Sequence, residues 1–578
     1  MRKLKIILTF VTLMLVVIAC DEGTTDPPPP TNPGPTEPGT DPDPDTDPDD
    51  PNDPDTDPDP DTDPDVEPVP NPDNEPNLNF EGDADAYQKG DWSQVVDWPF
   101  IAIHSALMPD GQVMTFGTGP EGSGEAFTYD VWNPKAGLGA TSHNVLPVTT
   151  GTDIFCSAQA IVPGTDEMLL AGGTTDLPDG DPLGEEDGSS ADANFFNLED
   201  FTLRKSPRQM LEGRWYPTVT TLANGEVLVH GGRSFPETPV ITPEVYNAEE
   251  GWRILDNATS EEAYYSWYYP WTFVAPSGDV FFTNNNPNMW FLDTDGTGEI
   301  RSAGRRPDGI WRGSATAALY DEGKLLVVGG QNKNEAGVEV STETTLLIDI
   351  NEDAVAANGG EAVVTAAEPM KYKRSEHDLT ILPDGTVLAS GGSAVRNELV
   401  DVALEPELWD PNTGQWEVLK ANTTPRLYHS TTLLLPDGTL LMAGGGRPGP
   451  IDPATGEQLT NTNAELFYPP YLFKKDGSGE LAPRLQVLDV EEPSYAQNFD
   501  IEVGSGDVDR VTLVRAGSVT HALNMEQRFV ELEFTQTGKT ISATAPSKPE
   551  LAPPGTYLLF VLDSEGVPSY GEMVTLNP

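Results

Sequence analysis

The chain has 578 residues, with 94 Asp and Glu against 32 Lys and Arg and a net charge of -62. A surface this acidic gains nothing from a polyanion, which disfavours nucleic-acid binding and points to solubility in a salty or outer-surface setting. There are two cysteines, and Cys20 closes a secretion signal, so Cys156 has no second cysteine to pair with in an oxidising compartment.

Arg2, Lys3 and Lys5 give the N-terminus a basic start, and the apolar run from Ile6 to Ile18 is short for a membrane span. Val17-Ile18-Ala19-Cys20 matches the lipobox of bacterial lipoproteins, so residues 1–19 are expected to be a cleaved signal peptide and Cys20 the lipidated N-terminus. This puts the rest of the chain outside the cytoplasm, held to a membrane by lipid alone. Cell-surface or outer-membrane display is favoured, with the periplasmic side of the inner membrane as the alternative. Residues 20–80 are Pro, Asp and Thr with almost nothing apolar to bury, and the expectation is a disordered tether. At about 3.1 Å per residue it reaches up to roughly 150 Å.

From residue 81 to about 480 a unit of about fifty residues recurs seven times. Each has a strand, a tight turn such as Asp110-Gly111, Asn224-Gly225, Asp384-Gly385 or Asp437-Gly438, and a second strand, in most units running into a glycine pair such as Gly231-Gly232 or Gly391-Gly392. An outer strand follows, for instance Glu407-Leu408-Trp409-Asp410 or Ala464-Glu465-Leu466-Phe467-Tyr468. Four strands per unit predict an all-β fold, a seven-bladed kelch-type β-propeller. Residues 481–578 carry shorter strands, among them Phe499–Val503, Arg510–Val514 and Thr556–Val561, as in a C-terminal immunoglobulin-like (early-set) β-sandwich.

Tyr216 and His429 each lie eight residues before a hairpin turn, at Asn224 and Asp437, and Cys156 stands at a similar offset in its own unit. Such positions fall at the same end of the innermost strands, which in a propeller converge on the axis, so Cys156, Tyr216, Tyr428 and His429 are candidates for one site. A polar loop between two sandwich strands, Gly517-Ser518-Val519-Thr520-His521, brings a further histidine. Taken singly, these residues have plainer readings. A histidine at such a strand start, like His104 or His377, is commonly a buried hydrogen-bonding group, and a lone buried thiol is commonly inert.

Phe155-Cys156, Gly213-Arg214-Trp215-Tyr216, Arg426-Leu427-Tyr428-His429-Ser430 and Gly517-Ser518-Val519-Thr520-His521, in this order, resemble the motifs of the copper radical oxidases, the family of galactose and glyoxal oxidases. The resemblance implies one copper held by Tyr216, Tyr428, His429 and His521, and a thioether from Cys156 to the ring of Tyr216 that forms a radical cofactor. It also implies Tyr428 as base, and O2 reduced to H2O2 as a small aldehyde or primary alcohol is oxidised. Imidazoles and a phenolate suit tetragonal Cu(II). Galactose oxidase has a stacking tryptophan after the glycine pair, where this chain has Arg233-Ser234-Phe235, and a sugar-contacting arginine where it has Tyr269-Pro270. The expectation is therefore the glyoxal oxidase branch, with Trp215, Phe235, Tyr269 and His377 as pocket residues. A peroxide-consuming partner enzyme is compatible with this chemistry. The competing expectation is a non-catalytic surface propeller for adhesion or glycan binding.

Overall fold

The computed structural model describes residues 80–119, 127–176, 187–235, 238–333 and 337–578. The expected signal peptide, the lipidated Cys20 and nearly all of the tether lie outside the described residues. No helix among the described residues is long and apolar enough to cross a membrane.

Seven antiparallel sheets follow one another along the chain, and their first strands span 101–107, 153–161, 215–221, 271–274, 316–321, 375–381 and 430–434. From the second blade to the seventh these innermost strands touch in sequence, the last packs against the first, and the first reaches the second through the hydrogen bond between His104 and Gln159, which closes the ring as a seven-bladed propeller. The segments expected as outer strands, at 407–410 and 464–468, lie in strands 407–410 and 463–468. They are third strands, and the fourth in the last blade comes from the other end of the propeller, where Asp91 and Trp92 pair with Tyr468 and Phe467. The sandwich has two four-stranded sheets, 487–490, 498–503, 540–544 and 534–537 against 529–532, 510–515, 555–562 and 572–576, around Phe499, Ile501, Leu513, Tyr557 and Leu559.

The glycine pairs do more than let the chain leave a crowded centre. A Cβ on Gly172 would come within 2.3 Å of Arg214 O, on Gly329 within 2.5 Å of Arg374 O, on Gly391 within 2.6 Å of Arg426 O and on Gly444 within 2.3 Å of Ala102 O. Each first glycine is thus the point where the backbone of the next blade crosses, and any side chain there would force two blades apart. A buried arginine ties that crossing down within each of four blades. Arg214, Arg312, Arg374 and Arg426 donate from Nη1 to the carbonyls of Gly231, Gly329, Gly391 and Gly444 at 2.9, 2.7, 2.6 and 2.9 Å. Three of these arginines are paired with buried glutamates, Arg214 with Glu244, Arg374 with Glu407 and Arg426 with Glu465.

The segment carrying His521 is a short hairpin, Ser518–Thr520 and Leu523–Asn524, whose first strand adds to the inner edge of the first blade through His104↔Thr520 and Ala106↔Ser518. The chain beyond it docks on other blades. Gln527 Nε2 donates to Leu379 O at 2.8 Å, and Arg528 Nη2 to Val274 O at 2.7 Å. The sandwich therefore delivers one side chain to the middle of the propeller on a backbone fixed at both ends.

Candidate functional site

At the start of the innermost strands in blades two to seven, one residue adopts left-handed backbone. Cys156, Tyr216, Tyr269, Ser314, Glu376 and His429 have φ of 59°, 62°, 32°, 52°, 57° and 71°. The strand ladder passes over this residue, for example from Trp215↔Arg233 to Pro217↔Gly231 and from Ser375↔Ser393 to His377↔Gly391. His521 on the sandwich hairpin shares the conformation, at φ 49°. For side chains of this size the conformation costs on the order of 1–3 kcal/mol each, and such strain collects where a function needs a particular aim.

The expected donor set comes together. Tyr216 Oη and Tyr428 Oη are 2.8 Å apart and share a hydrogen bond. The ring centroids of His429 and His521 are 4.6 Å apart, Tyr216 lies 4.8 Å from His521, and Tyr428 lies 3.7 Å from His429. His429 Nδ1 donates to Gly446 O at 2.8 Å, and His521 Nδ1 lies 2.6 Å from Thr520 Oγ1. The Nε2 atom of each is buried with no hydrogen-bond partner. A buried polar atom left without a partner is costly, and here two such lone pairs lie beside two phenols. Among the described residues no cluster of three or more His, Cys, Asp or Glu side chains could hold a metal ion, so a metal here requires the phenol oxygens as donors. Two imidazole nitrogens and two phenol oxygens fit a Cu(II) ion.

Burial sets the charge states. It pushes His429 down to about 3 and His521 well below its ordinary value, so both imidazoles are neutral donors at neutral pH. Burial raises both Tyr216 and Tyr428, with the nearby Cys156 adding to each, so without a metal the phenols keep their protons. Cys156 is fully buried in the same apolar cluster as Tyr216 and Tyr269. The buried His104, His230 and His377 are likewise lowered to about 3, chiefly by burial. The unfolded chain takes up these protons near 6.5 and the folded chain only well below that, near 3 for His104, His230, His377 and His429, so stability falls as pH drops below 6.5. Thermal melts of metal-free protein are expected to show a steady fall from pH 6.5 to 4. A flat profile over that range would contradict neutral burial of these five histidines.

Of the expected pocket residues, Trp215 stacks on Tyr216 with centroids 3.9 Å apart and planes at 27°. Trp267 lies parallel to the same ring within 9°, at 6.1 Å. The tryptophan missing after the glycine pair is thus replaced from two other positions. Arg233 packs over Trp215 at 4.1 Å, and Phe235 lies at the rim of a small cleft with Trp215 and Ser189. Tyr269 is wall rather than open surface, since its ring is 4.8 Å from His521 and its Oη donates to Ser157 O at 3.0 Å. His377 does not belong to the pocket. Lying one residue past the left-handed position, it packs on Gly329 of the preceding blade, as Pro270 packs on Gly231, and Glu376 takes the axial register instead. Sequence reasoning missed Glu376, Arg396, Trp267 and Tyr268. For the two aromatics the signal was the run Trp267-Tyr268-Tyr269; for Arg396, on a loop after the second strand of the sixth blade, there was none.

The family described as glyoxal oxidase N-terminus matches residues 120–471, and the galactose oxidase-like early set domain matches residues 483–576. A galactose oxidase of Gibberella zeae is 27% identical over 519 residues, covering 84% of this chain and 71% of its own. The aldehyde oxidase GLOX1 of Arabidopsis thaliana is 27% identical over 483 residues, 77% of this chain and 75% of its own. The aldehyde oxidase GLOX of Vitis pseudoreticulata is 28% identical over 491 residues, 78% and 88%. A fungal alcohol oxidase solved in complex with copper superposes with a TM-score of 0.71 at 22% identity over 85% of this chain and 100% of its own, which speaks for the fold.

Proposed function

From a chain that belongs to the copper radical oxidase family, we propose an extracytoplasmic enzyme of the glyoxal oxidase type that oxidises a small aldehyde, as its hydrate, or a primary alcohol with O2. The balance is R–CH2OH + O2 → R–CHO + H2O2, and the hydrate of an aldehyde gives the acid in the same way. The observation that carries this reading is the pair of buried imidazoles whose Nδ1 atoms are engaged and whose Nε2 atoms have no partner, set against two hydrogen-bonded phenols.

Tyr216, Tyr428, His429 and His521 would hold the copper. Bound there, it supplies one oxidising equivalent and favours the phenolate form of Tyr428. Tyr428 Oη then accepts the proton of the substrate hydroxyl, acting as general base. Tyr216, made easier to oxidise by a sulfur substituent from Cys156, would hold the second oxidising equivalent as a radical and take the hydrogen atom from the neighbouring carbon, after which O2 takes up the two electrons and two protons as H2O2 and restores both equivalents. Trp215 covers the face of that ring and keeps water from it. We further propose attachment to the membrane through lipid on Cys20, with the acidic segment that follows serving as a spacer.

Peptide mass mapping of copper-loaded, aerobically matured protein tests the cofactor without a guess about substrate. The expected result is the Cys156 and Tyr216 peptides joined with loss of two hydrogens. Separate, unmodified peptides after confirmed loading would overturn the radical cofactor and favour a binding propeller. Copper is also expected to raise the melting temperature of the wild type, since only the folded chain presents the set, and to have little effect on His521→Ala.

A further inference from the structure

Four of the six left-handed positions lie outside the donor set, and two of these, Ser314 and Glu376, meet each other. Ser314 Oγ donates to Glu376 Oε1 at 2.8 Å, and the same oxygen accepts from Arg396 Nε at 2.5 Å. The Glu376 side chain is 1% exposed and that of Arg396 41% exposed. The Arg396 guanidinium lies 5.6 Å from the centroid of the Tyr428 ring. Tyr268, edge-on to Tyr216 at 4.8 Å, carries a hydroxyl without a partner. The same backbone device that aims Cys156, Tyr216 and His429 at the axis thus also fixes an acid that grips an arginine reachable from solvent, over the ring of the general base.

The hydrogen bond that Arg396 makes to described residues uses Nε, which leaves its two Nη groups as donors. Glu376 already cancels its charge, so the pair offers direction rather than net charge, a planar fork of N–H groups suited to acceptor oxygens. A substrate whose only oxygen is the one being oxidised would cover this fork and leave it unpaired, whereas one with a second oxygen would satisfy it. We propose that Arg396, held by Glu376 and Ser314, is the specificity-determining residue that hydrogen-bonds a second, non-reacting oxygen of the substrate. The inference rests on the oxidase reading above and assigns that site's selectivity.

The test compares glycolaldehyde, which has the second oxygen, with acetaldehyde, which lacks it, by peroxide release from the copper-loaded full chain. In Arg396→Gln the ratio of the two kcat/KM values is expected to fall about 10- to 100-fold, the range for losing a hydrogen bond to a charged donor, and Arg396→Lys should recover part of it. Saturation-transfer NMR with metal-free protein gives a readout independent of turnover, in which glycolaldehyde contacts the wild type and loses contact in Arg396→Gln. Contrast in the NMR with no peroxide from either substrate would keep the anchor and sink the oxidase reading. Peroxide release in which Arg396→Gln lowers both substrates equally would keep the oxidase and overturn the anchor. Should Arg396→Gln fail to fold by thermal melting, Arg396→Lys, which keeps the charge and shortens the fork to a point donor, carries the same comparison.

Discussion

Cys156→Ser is expected to abolish the joined peptide and to lower turnover by on the order of a thousandfold, equivalent to about 4 kcal/mol in barrier. The size follows from what the sulfur is proposed to do. Without it, Tyr216 is an ordinary buried phenol whose charged form is disfavoured by its surroundings and whose oxidation is harder. The four proposed copper donors remain, so copper should still bind and still raise the melting temperature. Because Cys156 is fully buried, a serine hydroxyl there risks a lost partner costing about 1–3 kcal/mol. Cys156→Ala removes that ambiguity. An alanine variant with wild-type stability and undiminished turnover would rule out the radical mechanism.

Glu407→Ala should be the most damaging substitution away from the site. Both members of the Arg374–Glu407 pair are 0% exposed, and Arg374 reaches Glu407 from Nε and Nη2 at 3.1 and 3.0 Å. Removing the acid leaves a guanidinium buried without its counter-charge, with an expected loss of about 3–5 kcal/mol. Glu407 also accepts from the backbone N–H groups of Lys371 and Tyr372, so the segment leading into the sixth blade loses its hold as well. By contrast, Asp279→Ala breaks a pair whose arginine, Arg301, is 45% exposed, and should cost less than about 1 kcal/mol. Urea unfolding of the two variants side by side checks this. Comparable losses would mean that the buried pair is not what holds the crossing.

Much of the fold could be read because its signals are local. Turns such as Asp384-Gly385 and glycine pairs such as Gly391-Gly392 mark most blades within a dozen residues, and Ser277-Gly278 marks the fourth although Thr283-Asn284 stands where others have glycines. Tyr216 and His429 were legible as neighbours because equal offsets from a turn translate into equal heights on the axis, whereas the full donor set with His521 came only from the family resemblance. What escaped was the aim of each side chain at that height. One left-handed residue shifts the inward register, so Glu376 faces the axis and His377 the neighbouring blade, and nothing in the residue types announces which. Arg396 escaped for a different reason, since its role comes from contacts with Glu376 and Tyr428, residues on other strands.

The pairing of Asp91 and Trp92 with Tyr468 and Phe467 bears on the order of assembly. The last blade is finished by a strand made before all the others, so the ring cannot shut until nearly the whole folded part is in hand and its two ends have found each other. Contacts this distant in sequence form late and slowly. The proposed donors come from the third and seventh blades and from the hairpin beyond them, so a half-emerged chain presents no complete set to a metal. Loading is thereby deferred until the chain is whole.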